Sequence, residues 1–243
     1  MNEILTVNDL KVQFNSRVGG LFGHTVTKEV LKGISFNIKE GEILGLVGES
    51  GSGKSTIAKA VLDLVPYTGQ ITMNDGIRAS MIFQDPKGSL NPSKKVGSLL
   101  EEALYLSGEK DKDKRHDKAL EMILTVGLRE EHLNRYPGEL SGGQRQRVCI
   151  GMALIPGPRL LIADEPVSAL DVTIQAQILE LLKNLQHKFG LSILFISHDL
   201  RVVYNFCDRL IILKSGIIVE EGVPAQVYSD PKADYTKELL SSI

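Results

Sequence analysis

Residues 48–56, GESGSGKST, hold four residues between two glycines and follow the second glycine with lysine and serine. A loop that wraps a phosphate must turn its backbone N–H groups inward, which glycine permits and most residues resist. In that reading Gly48, Glu49, Ser50, Gly51, Ser52 and Gly53 form a cradle. Lys54 then neutralises β- and γ-phosphates, and Ser55, followed by Thr56, offers its hydroxyl to Mg²⁺. A helix opening near Lys54 would aim the partly positive end of its dipole at the same charge. The competing reading is a glycine-rich turn. A chance match of this pattern arises in roughly one chain of this size in a hundred.

Two further stretches carry chemistry. RLLIADEP is an apolar run ending in two carboxylates, Asp164 and Glu165, roughly 110 residues after the loop. Asp164 at a strand's C-terminal edge suits Mg²⁺ through water. Glu165, one residue on, suits a general base that polarises water. Alone, such a strand end is as well suited to capping a turn; paired with the loop it reads as the second half of one nucleotide site. In LSGGQRQR, residues 140–147, Ser141-Gly142-Gly143 precede a helical pattern and Gln144 stands three residues after Ser141. That spacing is a capping box, and a capped helix start with N–H groups to offer is also an anion site.

The elements that must position these groups follow from periodicity. EILTVNDLKVQF reads as a strand, NSRVGGLFGHTVTKE as a loop, and VLKGISFNI as a second strand. EILGLV is a continuous apolar run of the kind buried on both faces, and KSTIAKAVLDLV has helical spacing up to Pro66. The order strand, glycine loop, helix is the context a phosphate loop requires. From about Asp85 to Pro158 the patterns are helical, in VGSLLEEALYL, RHDKALEMILTVG and GGQRQRVCIGMALI, with SGEKDKDKRHD as a solvated loop. RLLIAD, SILFIS and the hairpin RLIILKSGIIVEEG return to strand, and TIQAQILELLKNLQHKFG places Ile174, Ile178, Leu181, Leu182 and Leu185 on one stripe. Strands alternating with helices give an α/β fold with a mainly parallel sheet.

These segments, in this order, resemble the ATP-binding cassette family, in which LSGGQRQR is the signature motif. The resemblance covers nearly the whole chain. Gln84 in IFQDP is similar to the family's Q-loop glutamine, Asp171 closes a SALD similar to the D-loop, and His198 in FISHD is similar to the switch histidine. Phe14 is similar in position to the aromatic that stacks on adenine, and the nearby Phe22 is the alternative. The resemblance implies a RecA-like P-loop core at 1–85 and 159–243 with an N-terminal antiparallel β region, and a helical subdomain inserted at about 86–158. It implies two cassettes, identical or different chains, packed head to tail. Each ATP then lies between one Lys54 loop and the partner's Ser141, Gly142, Gly143 and Gln144, with Asp171 close by. Glu165 activates water, His198 contacts the γ-phosphate, and Gln84 links Mg²⁺ to the motion. Transmembrane permease subunits receive that motion at the cytoplasmic face of the cell membrane, and an extracytoplasmic solute-binding protein serves them.

A narrower likeness lies in FQDPKGSLNPSKKVGSLLEEAL, YPGELSGGQRQR and ADEPVSALDVTIQAQILELL, which look like ATPase subunits of oligopeptide, dipeptide, nickel and metallophore importers. DPKADYTKELL is similar to that group's tail, with Ala233-Asp234 in place of its usual His-Pro, and Met152 stands where the group commonly has arginine. Only 30 residues separate Lys54 from Gln84, and the sequence ends at Ile243 without the cysteine-bearing extension of many peptide-importer subunits. By analogy these features lean toward the metal-chelate branch.

Composition narrows the alternatives. The formal charge of -2 gives no general attraction to nucleic acid, which is not expected as a partner. No basic segment followed by an apolar run marks a signal peptide at the start, and no uninterrupted apolar span reaches the roughly 20 residues a bilayer needs. Cys149 and Cys207 lack metal-ligand spacing, which fits a reduced, cytosolic setting. A soluble cassette serving nucleic acid or translation remains one alternative. A weakly hydrolysing partner of a heteromeric transporter is another, although Lys54, Ser141, Glu165 and His198 are all present.

Overall fold

The computed structural model describes residues 2–18, 24–74 and 76–241. Its first elements are β1 (Glu3–Val18), β2 (His24–Lys39), β3 (Ile43–Val47), α1 (Lys54–Val61), β4 (Thr68–Met73) and β5 (Ala79–Ile82). Next come α2 (Pro86–Ser89), α3 (Val96–Leu106), α4 (Lys112–Thr125), two 3₁₀ turns at Glu130–Asn134 and Pro137–Glu139, and α5 (Gly142–Leu154). The remainder is β6 (Leu160–Asp164), α6 (Val172–Phe189), β7 (Ser192–Ser197), α7 (Leu200–Phe206), β8 (Arg209–Lys214), β9 (Ile217–Gly222), α8 (Pro224–Ser229) and α9 (Asp234–Ser241). These fall into two compact units, Met1–Ile77 with Ser192–Ile243, and Arg78–Leu191. No helix among the described residues is long and apolar enough to cross a membrane.

In the first unit β3 is flanked by β7 and β8, parallel to both, and β9 pairs antiparallel with β8. Every residue of β3 and β7 is buried, as their unbroken apolar runs require. The β8–β9 turn has Ser215 at φ 50 and Gly216 at φ 82, the left-handed pair of a type I′ hairpin. A second sheet, ordered β2-β1-β4, is antiparallel throughout. Arg209 ties the two sheets together. Its guanidinium donates to both Glu42 carboxylate oxygens (2.7 and 3.1 Å), to the Asn37 carbonyl of β2 (2.7 Å) and to Glu221 of β9.

In the second unit β5 and β6 pair in parallel, Ile82 opposite Ala163, and helices α2 to α6 build the rest. The stripe on α6 is partly realised, with Ile178, Leu182 and Leu185 buried and Ile174 and Leu181 half-buried.

Three boundaries differ from the sequence reading. The loop expected at residues 15–29 is largely strand: β1 and β2 run on as a long hairpin, with Asn15 opposite Thr27 and Val18 opposite His24. Cross-strand pairing there prevails over the glycines that suggested a loop. The helix expected to reach Pro66 ends at Val61. Asp63 turns left-handed at φ 56, its N–H bonds the Ala60 carbonyl and that of Leu64 the Lys59 carbonyl, so the chain leaves α1 through a Schellman closure. The loop expected at 107–117 is shorter because Asp111 caps α4, accepting from the N–H groups of Asp113 (3.0 Å) and Lys114 (3.3 Å).

Candidate nucleotide-binding site

The loop of residues 48–53 lies between β3 and α1 in the first unit. A β-carbon at Gly48 would sit 2.2 Å from the Leu213 carbonyl oxygen, so the loop is pressed against β8 at a point only glycine allows. Gly53 stands at φ 114, where a side chain is strained, and opens α1. The Lys54 ammonium is buried and folds back over the loop, donating to the carbonyls of Gly48 (2.7 Å) and Glu49 (2.8 Å). The Glu49 carbonyl also accepts from the Ser52 N–H at 3.2 Å, and the Ser52 carbonyl from the Gly216 N–H at 2.9 Å. The Ser52 hydroxyl is buried with no hydrogen-bond partner among the described residues. Glu49, Ser50 and Gly51 are exposed, and Ser55 and Thr56 half-buried on the first turn of α1. A desolvated ammonium beside an orphaned buried hydroxyl, at a helix start lined with backbone amides, is a cradle suited to a dense anion such as a polyphosphate.

His198 follows directly on Ser197, the β7 residue paired with Val47 of β3, which itself precedes Gly48. It is therefore presented at the same sheet edge as the loop, and is exposed. Asp199 behind it caps α7 through the Arg201 N–H at 2.9 Å. Burial pushes the Asp199 carboxyl up, and its hydrogen bonds to Arg201 prevail and hold it below the usual range. Phe14 sits on β1 and is 41% exposed. Phe22 lies outside the described residues.

In the second unit Asp164 ends β6 and is buried. Glu165 follows with a left-handed φ of 47, and the Gln84 amide donates to its carboxylate at 3.0 Å. Parallel pairing of β5 with β6 explains that meeting, because Gln84 and Glu165 each leave a strand end two residues beyond the paired Ile82 and Ala163. Among the described residues no group of three or more His, Cys, Asp or Glu side chains is arranged to hold a metal ion. Mg²⁺ asks for no such cage, since it is commonly held by one or two protein oxygens with phosphate and water.

Ser141 is the N-cap of α5. Its hydroxyl accepts from the Gln144 N–H at 3.3 Å, while the Gln144 side-chain carbonyl accepts from the Ser141 N–H at 3.0 Å, closing the box expected from the sequence. A β-carbon at Gly143 would come 2.6 Å from Ile174 of α6. Asp171 caps α6, accepting from the Ile174 N–H at 3.0 Å.

Two residues outside the sequence expectations touch these loops. The Gln144 amide nitrogen lies 3.2 Å from Nε2 of buried His132, whose Nδ1 lies 3.0 Å from the Arg129 carbonyl. The Arg129 N–H also donates toward that Nδ1 at 3.1 Å, so the ring is held against the backbone of Arg129 on one side and the Gln144 amide on the other. Nothing in the sequence singles out His132. The Tyr235 hydroxyl accepts from the Glu49 N–H at 3.2 Å, and here a signal was present, since Tyr235 stands in the tail stretch.

A phosphate loop between a buried parallel strand and a helix defines a P-loop nucleotide hydrolase. The ABC transporter family model matches residues 31–168. The chain is 41% identical over 254 residues to the dipeptide transport ATP-binding protein DppF of Escherichia coli K12, covering 98% of this chain and 76% of that protein. It is 41% identical over 266 residues to the oligopeptide transport ATP-binding protein OppD of Bacillus subtilis 168, covering 100% and 72%. To a putative peptide import ATP-binding protein of Brucella ovis, BOV_A0347, it is 44% identical over 256 residues, covering 99% and 78%. Among solved structures it resembles the dimeric post-hydrolysis state of the ATP-binding cassette MJ0796 bound to ADP and phosphate, with TM-score 0.77, 29% identity, and 90% and 98% of the two chains covered. It is equally like cbiO1 of Clostridium perfringens, part of the ABC transporter complex cbiONQ, at TM-score 0.77 and 26% identity, covering 95% and 92%. The chain belongs to the ABC transporter family, as one of its nucleotide-binding ATPase cassettes.

Proposed function

We propose that this cassette drives a membrane importer of peptides, closing with a second cassette around ATP and reopening after hydrolysis. The observation that carries the reading is the buried Lys54 ammonium, held by two carbonyls inside the glycine loop at the start of α1. The peptide class is supported by the names of the three relatives above, all peptide-transport proteins at 41% to 44% identity.

In this reading the amides of residues 49–56 and Lys54 hold the β- and γ-phosphates, and the exposed ring of Phe14 takes the adenine. Ser55 offers its hydroxyl, Asp164 its carboxylate through water, and Gln84 its side-chain carbonyl to magnesium. Magnesium, when bound, draws negative charge from the phosphate oxygens. Glu165, whose carboxylate holds the Gln84 amide at 3.0 Å, would orient and deprotonate the attacking water, and Gln84 would be free to help hold magnesium once that contact opens. His198 steadies the γ-phosphate from the neighbouring strand edge. Ser141, Gly142, Gly143 and Gln144 present the start of α5 to the nucleotide of the partner cassette, with Asp171 capping α6 behind them. The helical segment at about 86–158 passes closure to permease subunits at the cytoplasmic membrane face, and a solute-binding protein delivers the peptide on the far side.

The test is Glu165→Gln in the assembled transporter. It should bind ATP, accumulate as a closed dimer in gel filtration, and lose ATP turnover by about 100-fold or more, the scale of a general base. Turnover at the wild-type rate would remove Glu165 from that role.

A further inference from the structure

Helix α9 reaches the phosphate loop through one side chain. Tyr235 and Thr236 at its start are buried, and Glu220 of β9 anchors them by accepting from the N–H groups of Lys232 (2.8 Å) and Ala233 (2.9 Å). The Lys214 ammonium sits 4.2 Å over the Tyr235 ring, so the ring is held by β8 as well. The phenol is thereby delivered to Glu49, 186 residues away in sequence, where its oxygen accepts from the backbone N–H at 3.2 Å. Burial, the largest influence, raises the phenol above its ordinary range; the Glu49 N–H bond opposes it and the charge of the Glu49 carboxylate adds to it.

The N–H that Tyr235 holds belongs to the Gly48–Glu49 peptide. The carbonyl of that same peptide is Gly48 O, which accepts from Lys54 Nζ at 2.7 Å. One rigid plane is thus held at its two ends, by the phenol and by the ammonium. Where Lys54 shifts from Gly48 O toward a phosphate, the phenol keeps its hold on the other end of the plane.

We propose that Tyr235 is a positioning residue for nucleotide binding: it pins the Gly48–Glu49 peptide, so that Lys54 turns from its carbonyls to phosphate without the loop rearranging. This rests on the reading of residues 48–56 as the phosphate cradle. Tyr235→Phe keeps the ring beneath Lys214 and removes only the hydroxyl. Titration calorimetry with ADP and magnesium should show its Kd raised about three- to ten-fold, the range of one hydrogen bond. In the nucleotide-free protein, amides of residues 48–53 should exchange with deuterium faster than in wild type, while those of β3 and β7 are unchanged. Wild-type Kd and wild-type exchange would overturn the proposal. So would a fall in binding stoichiometry at unchanged Kd, which marks misfolding and not a displaced loop. Lys54→Ala separates this inference from the reading beneath it. If Lys54→Ala loses ADP while Tyr235→Phe binds normally, the inference alone fails; if Lys54→Ala binds as wild type, the cradle reading fails and the inference with it.

Discussion

Phe14 and Cys149 show how little a residue's type says until its surroundings are known. Phe14 leaves a flat apolar face in water, while its position on β1 is set by the pairing with Lys28 of β2. A purine suits that face, and an aromatic stack contributes about 1 kcal/mol beyond area burial. Phe14→Ala should therefore weaken ATP binding by about five- to ten-fold in a calorimetric titration, and unchanged affinity would take the residue out of the site. Cys149 is a nucleophile by type only. Burial, and then the charge of Asp85, push its thiol up to about 12, so near neutral pH it is held as the thiol. It belongs to the packing of α5 and to no chemistry proposed here.

At the scale of elements the instructive group is Arg209, which holds β8 to β2, to β9 and to the turn before β3. Its side chain is 15% exposed and that of Glu42 9%, so cutting the pair leaves a nearly buried carboxylate without its cation. Arg209→Met should destabilise the protein by about 3 kcal/mol, with a lower urea midpoint and little change in the slope of the transition. Arg209 stood in the sequence as an ordinary strand residue. Where a segment carried its own signal the reading was sound: β3, β6 and β7 announced themselves by unbroken apolar runs, and the β8–β9 turn by Lys214-Ser215-Gly216. Where the outcome depended on a partner strand or a cap it was not. Residues 15–18 and 24–29 became strand through each other, and α1 stopped early because Asp63 accepted a left-handed turn. The site divides the same way. Loop, carboxylates and signature cap were legible as spacing, but the hold of Gln84 on Glu165 and of Tyr235 on Glu49 comes from strand register and chain return.

For the whole molecule the decisive quantity is assembly. Purified alone, the cassette should hydrolyse ATP at a rate per chain that rises with protein concentration, as expected when two copies complete each other's sites. Adding the permease subunits of the proposed importer should raise the rate further. Activity per chain that is independent of concentration would argue against the shared site, and activity confined to the full complex would mean that the second cassette is a different chain. A last consequence concerns how the protein is made. Both neighbours of β3, the hairpin turn that bonds Ser52, and Tyr235 all come from residues 192–235, whereas the glycine loop ends by residue 53. At ribosomal speeds of about 5–20 residues per second, the loop leaves the ribosome roughly 10–40 s before the last of these arrives. During translation the most diagnostic segment of the chain is therefore unsupported, and a nascent chain acquires its nucleotide grip only near the end of synthesis.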